Sequence, residues 1–216
     1  LLQLVLTKLA NFAPGGGIWL NTQRPEWNAA NNALAGYGLS MVTTSYLRRM
    51  LNFLKEIYSS TENDSFDIPK TEKEFFNNIK SIYAKTKPED TQTEKGRAEF
   101  TRACGTAFEK ERKAFYKDYA LLKKTTSLKK DELLSAIDIF MEHLEYSIKL
   151  NKKENGLYHS YNTLAISKDD IGRIPCECFS PWCLYFTGGM SACVEKRWFM
   201  MKMVFRFVWD VMYALK

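Results

Sequence analysis

The chain has 216 residues, a net charge of +6, 45% hydrophobic and 14% aromatic residues, enough to build an ordinary core in one large domain. Its Lys and Arg are interleaved with Asp and Glu from Lys70 to Lys153, as on solvated helix faces, and the clustering that a nucleic-acid groove needs is absent. Five cysteines, an odd number, argue against a disulfide framework.

The apolar stretch Leu1 to Leu6 has no preceding basic region and no small-residue cleavage site, so it does not read as a signal peptide. The expected location is cytoplasmic. The Leu-Leu start without Met reads as a start in mid-protein, so a fragment is expected. Pro14-Gly15-Gly16-Gly17 marks a loop over 11–22. A helix is predicted over about 32–60, striped by Leu39, Val42, Tyr46, Met50, Phe53 and Ile57. A polar loop, Thr61 to Pro69, follows. Residues 71–86 predict a helix with Phe75, Ile79 and Ile82 on one face, stopped before Pro88. A long helix over 91–123 carries Phe100, Cys104, Phe108, Phe115, Tyr119 and Leu122. Ser127 is placed to cap the next helix, whose stripe is Leu133, Ile137, Phe140, Met141, Leu144 and Ile148, ending at Leu150. His143, between Glu142 and Glu145, reads as a surface or flanking residue.

No sustained period-two alternation is seen in the middle of the chain, so the fold class expected is all-α, built from antiparallel helical hairpins. The striped phenylalanines then serve as core, and no cofactor is called for. Residues 171–216 differ in character. They hold four of the five Cys, three of the five Trp and five of the eight Met, without clean periodicity. Lys202, Arg206 and Asp210 interrupt the apolar run Trp198 to Leu215, which argues against a membrane span. Cys176, Cys178, Cys183 and Cys193 lack the two-knuckle spacing of a structural zinc site, so no metal is assigned. The division expected is 1–170 as a domain and 171–216 as an atypical tail that reads like a frame-shifted continuation.

The chemistry concentrates in Arg24-Pro25-Glu26-Trp27-Asn28, followed by Asn31-Asn32. A carboxylate can accept hydrogen bonds or move a proton, an indole offers a flat apolar face, and carboxamides both donate and accept. Together they suit a sugar, with hydroxyls at its edges and C–H groups on its faces. The alternative for these residue types is a helix N-terminus with Trp27 buried.

Arg24 to Asn28, Asn31-Asn32-Ala33-Leu34, Gly36, Ser40 to Thr43 and Tyr46 to Arg49 resemble a motif of bacterial cellobiose-phosphorylase-like proteins, within the helical-toroid (six-hairpin) glycosidases. Tyr158-His159-Ser160-Tyr161-Asn162 resembles a segment further along such proteins. The resemblance covers about 20–60 and 156–165 closely. It implies a partial, incomplete ring of antiparallel helical hairpins with an irregular C-terminal tail, an oligosaccharide as partner, and inorganic phosphate as co-substrate. The rest of the ring would be supplied by the missing remainder of the domain. It also implies sugar contacts from Arg24, Glu26, Trp27, Asn28, Asn31, Asn32, His159 and Tyr161. The general acid of such enzymes falls here on Ala29. A methyl group cannot deliver a proton, and losing a positioned acid costs about 10²–10⁴-fold in rate. Glu26 is the nearest carboxylate and the only catalytic candidate. The expectation is therefore a degraded homologue of a carbohydrate-active enzyme without normal cleaving activity. The alternative is a non-enzymatic helical protein-interaction domain, with no nucleic acid and no membrane involved.

Overall fold

The computed structural model describes residues 1–19, 38–117, 124–166 and 171–175. Among them are five α-helices: α1 (Leu2–Ala10), α2 (Met41–Ser60), α3 (Lys70–Lys85), α4 (Glu94–Lys117) and α5 (Lys130–Leu150). They also include seven strands, β1 (Phe12–Ala13), β2 (Gly17–Trp19), β3 (Gly38–Ser40), β4 (Ser65–Pro69), β5 (Thr125–Lys129), β6 (Tyr161–Ile166) and β7 (Ile171–Pro175). The fold is thus mixed, and the all-α toroid of helical hairpins is corrected. An antiparallel sheet of order β1-β2-β3-β6-β7 and a two-stranded sheet β4-β5 stand among the helices.

The strands were hidden for identifiable reasons. Phe66 and Ile68, like Thr126 and Leu128, do alternate with polar neighbours. Each run is only five residues long, however, and the partners lie sixty residues apart, Phe66 facing Leu128 and Pro69 facing Thr125. The stretch 61–69 is therefore not simply a polar loop. Ser127 sits inside β5 and caps nothing. β4 and β5 run straight into helices, and each helix start is tied to the other strand: the Lys70 N–H donates to Lys124 O, and the Lys130 N–H to Asp64 O, both at 2.8 Å. The Pro14–Gly17 run is more than a loop. It makes the turn of a β1–β2 hairpin, with Phe12 opposite Ile18.

The helices follow the expected physics. Ser40 caps α2, its Oγ accepting from the Thr43 N–H at 3.0 Å. α3 stops at Lys85, ahead of Pro88, whose ring disfavours helical geometry in the preceding residue. The short 3-10 helix Pro88–Gln92 then leads into α4. The core joins Leu6 and Leu9 of α1, Leu47, Leu51 and Leu54 of α2, Phe75, Phe76, Ile79 and Tyr83 of α3, Phe100 and Cys104 of α4, and Leu133, Ile137, Phe140 and Leu144 of α5. Tyr83 is its centre: its ring meets Phe100 at 4.9 Å and Phe140 at 5.0 Å edge-on, and its hydroxyl donates to Leu9 O at 2.8 Å.

In α2 the buried positions are Met41, Thr44, Leu47, Leu51 and Leu54. The stripe expected to be buried runs one step around, and its members Phe53 and Ile57 stay 50% and 43% exposed. α2 is apolar over a wide arc, and packing on α5 selects which part is covered. Arg48–Glu145 and Lys55–Asp138 ion pairs link the two helices on their exposed side. Among the described residues no helix is long and apolar enough to cross a membrane.

One buried carboxylate gives a pH-dependent prediction. Glu111 of α4 is 7% exposed. Its pKa is raised, first by burial and then by the charges of Glu72 and Glu74, while the Gln3 side chain, donating to it, opposes the shift. A raised folded value means the folded state holds this proton more tightly, so the stabilisation is present at low pH and lost as pH rises through the folded value. Glu111→Gln, permanently neutral, should raise Tm by about 2–4 °C at pH 7 and leave it unchanged at pH 4. Calorimetry at the two pH values checks both halves.

Candidate functional site

Arg24, Glu26, Trp27, Asn28, Ala29, Asn31 and Asn32 lie outside the described residues, as do Cys176, Cys178, Cys183 and Cys193. The frame that carries the segment 20–37 is described. β2 ends at Trp19 and β3 begins at Gly38, and the two strands pair antiparallel, with Trp19 opposite Leu39 and Ile18 opposite Ser40. Both ends of the segment therefore leave the same end of the sheet, side by side.

β6 lies along the other edge of β3, with Gly38 opposite Thr163, Leu39 opposite Asn162 and Ser40 opposite Tyr161. The end of the segment 20–37 and the start of β6 thus adjoin the same strand. They do not meet at the same end. The segment 20–37 departs beside Thr163, whereas His159 lies past the Ser40 end. Four residues of strand, roughly 13 Å, separate the two points.

Local structure fixes His159 and its neighbours. Asn151 ends α5, and a tight reversal follows. Lys152 bridges Tyr158, the Gly156 N–H donates to Lys153 O at 3.0 Å, and Gly156 takes the left-handed φ of 79° that the turn requires. Leu157 and Tyr158 are exposed on this reversal, at 61% and 50%. The His159 N–H donates to Asn151 O at 3.0 Å, and Ser160 O accepts from the first amide of α2, Met41 N, at 3.0 Å. Tyr161 is half-buried. The ring nitrogen His159 Nδ1 is buried without a hydrogen-bond partner.

Beneath this frame lies a polar cluster that the sequence reading missed. Asn151 and Asn162 are both fully buried. Asn151 Nδ2 donates to Gly15 O at 2.8 Å and to Ser147 O at 2.7 Å. Asn162 Nδ2 donates to Gly16 O at 2.7 Å and to Asn151 Oδ1 at 3.0 Å. The Gly15 N–H donates to Ser147 Oγ at 2.9 Å, and the buried Arg97 guanidinium donates to Pro14 O at 2.9 Å and Gln92 O at 3.1 Å. The Pro14–Gly16 turn is thereby bound to α4, α5 and β6 at once. A signal for it existed in the spacing His143-x3-Ser147-x3-Asn151, which puts three polar residues on one helix face.

His143 is corrected from a surface position to a buried one, 2% exposed. The other thiol candidate, Cys104, is buried on α4, and burial pushes it up to about 12, which keeps it a neutral core group with no nucleophilic character. Among the described residues no group of three His, Cys, Asp or Glu side chains is placed to hold a metal ion. A cavity of about 370 Å³ opens at the two-stranded sheet, lined by Asp64, Ser65, Ser127, Lys129, Lys130 and Asp131. Neither His159 nor Tyr161 lines it.

No protein-family model matches the chain, and no curated protein matches it. What can be said of function therefore rests on residue chemistry and on the frame just described.

Proposed function

We propose that the chain is a homologue of a carbohydrate-active enzyme that keeps an oligosaccharide-binding site and lacks the proton donor needed to cleave its ligand. The observation that carries this reading is the placement of β3 between β2 and β6. It brings the two residues that border the segment 20–37, Trp19 and Gly38, and the start of β6 at Tyr161 to one small sheet. Their departure points, at opposite ends of β3, suit an extended chain of sugars better than a single ring. Glu26, Asn28, Asn31 and Asn32 supply hydrogen bonds, Arg24 a fixed donor fork, and Trp27 a stacking face. His159 and Tyr161, at the start of β6, add polar groups at the other end of β3. Ala29, with its methyl side chain, gives no proton to a leaving oxygen.

Titration with cello-oligosaccharides, followed by Trp fluorescence, tests the reading. A saturable change is expected in the native chain and is expected to vanish in Trp27→Phe. A flat titration, or a change that persists without Trp27, would overturn it. The rival reading, a helical surface that binds a protein partner, draws on the exposed Phe53 and Ile57 of α2. It predicts no response to any saccharide.

A further inference from the structure

His143, Ser147 and Asn151 follow one another at four-residue steps on α5 and form one buried polar row. The row has ties at both ends. At the core end, His143 Nε2 lies 3.1 Å from Tyr83 O of α3. At the other end, Ser147 and Asn151 hold both backbone groups of Gly15, and Asn151 receives Asn162 of β6. The row therefore links the aromatic centre of the core to the β1–β2 turn and the sheet.

Only His143 in this row can change charge. A carbonyl oxygen only accepts, so Nε2 carries the hydrogen and the neutral ring keeps its lone pair on Nδ1. Nδ1 is buried with no partner. The ring lies against Phe100 at 5.7 Å, nearly parallel, and edge-on to Tyr83 at 4.8 Å. A second proton would sit on Nδ1, which makes no hydrogen bond among the described residues and has aromatic rings around it, and this costs the desolvation of the charge. The charged groups nearby are Glu142 on its own helix and Glu89 on the 3-10 helix, both of which favour the cation. Tyr83 and Thr86 offer backbone partners from the α3 end, and α4 offers the uncharged Phe100 ring. Burial prevails over all of them and holds His143 below the ordinary histidine value.

We propose that His143 is an acid-sensitive latch, whose protonation drives its ring out of the pocket between Phe100 and Tyr83 and loosens the Pro14–Gly16 turn and the sheet tied to the same helix row. The proposal is independent of the saccharide reading. Because the opened state takes the proton more readily than the closed one, the closed state is fully favoured above the ordinary histidine value of 6.5. It loses ground as pH falls from there until the folded His143 itself titrates. One linked proton raises the opening equilibrium by at most about tenfold per pH unit in that window. Glu72 and Glu111, whose values are raised, act in the opposite sense and cannot imitate it.

Amide hydrogen exchange on the full chain, corrected for intrinsic rates, tests this at Gly15 and Gly16, whose N–H groups are bonded to Ser147 Oγ and Ala13 O. Protection should fall by up to about fivefold between pH 6.5 and 5.5 in the native chain and stay flat in His143→Gln, which can still donate to Tyr83 O and never charges. Nitrogen-15 spectra of the histidine rings need no variant. His143 should be the Nε2–H tautomer at pH 7 and titrate below an ordinary histidine. Protection that ignores pH in the native chain, the same pH dependence in His143→Gln, or an Nδ1–H tautomer would each overturn the proposal. Should His143→Gln fail to fold, the native exchange profile and the ring spectra still decide.

Discussion

Gly17→Ala is expected to be strongly destabilising. Gly17 holds a φ of +118°, which side chains other than hydrogen rarely tolerate. A Cβ there would lie 2.8 Å from both the carbonyl carbon and the oxygen of Ser40. Those are backbone atoms of a residue that pairs with Ile18 and caps α2, so nothing flexible can yield. Strain of about 1–3 kcal/mol adds to an overpacking cost of about 1–3 kcal/mol, a large fraction of a typical stability of about 5–15 kcal/mol. The measurement is thermal unfolding, with Tm expected about 8–15 °C lower. Gly156→Ala separates the two causes. Its φ is +79°, but nothing lies within 4 Å of the added carbon, so it should cost only about 1–2 kcal/mol. Equal losses at both positions would mean that the approach to Ser40 is unimportant.

Asn151→Ala should lower the urea midpoint by the equivalent of about 3 kcal/mol with an unchanged m-value. The truncation removes two donors and one acceptor at once, leaving Gly15 O and Asn162 Nδ2 short of a partner in a fully buried place. Ser147→Ala, which withdraws only the acceptor of the Gly15 N–H, should cost about 1 kcal/mol. Because Asn151 and Asn162 are bonded to each other, the double variant Asn151→Ala with Asn162→Ala should cost clearly less than the sum of the single losses. Additive losses would show that the two amides act separately.

Most of the helices were legible because they carry their own signal, although α1 was not read as a helix and α2 begins at Met41, after β3, and not near residue 32. For α3 the steps Phe75, Ile79 and Ile82 and the following Pro88 marked 71–86, against the observed Lys70–Lys85. For α5 the end at Leu150 was read correctly. What failed needed a partner. α2 presents two apolar stripes, and only the contact with α5 decides between Leu47-Leu51-Leu54 and Met50-Phe53-Ile57. β4 and β5 are five-residue alternations whose meaning comes from each other, across sixty residues. His143 looked external because Glu142 and Glu145 flank it, although its partners, Tyr83 O and Phe100, come from other helices. The candidate site was legible as chemistry, in Glu26, Trp27 and the asparagines. Its frame was not, since two- and three-residue strands such as β1, β2 and β3 carry too few side chains to show a period.

The bonds that bind the Pro14–Gly16 turn close over unusually long stretches of chain. Ser147 is 132 residues from Gly15, Asn151 is 136, and Asn162 is 146 from Gly16. A ribosome adding about 5–20 residues per second leaves the hairpin waiting roughly 10–30 s for those partners. In that interval α1, Phe12 and Ile18 have no finished core to enter, and the closure itself is of the slow, non-local kind. The stretch from α1 to β2 is thus made well before the partners that complete it, so a chain that stalls before β6 emerges would present Leu6, Leu9, Phe12 and Ile18 to chaperones and proteases.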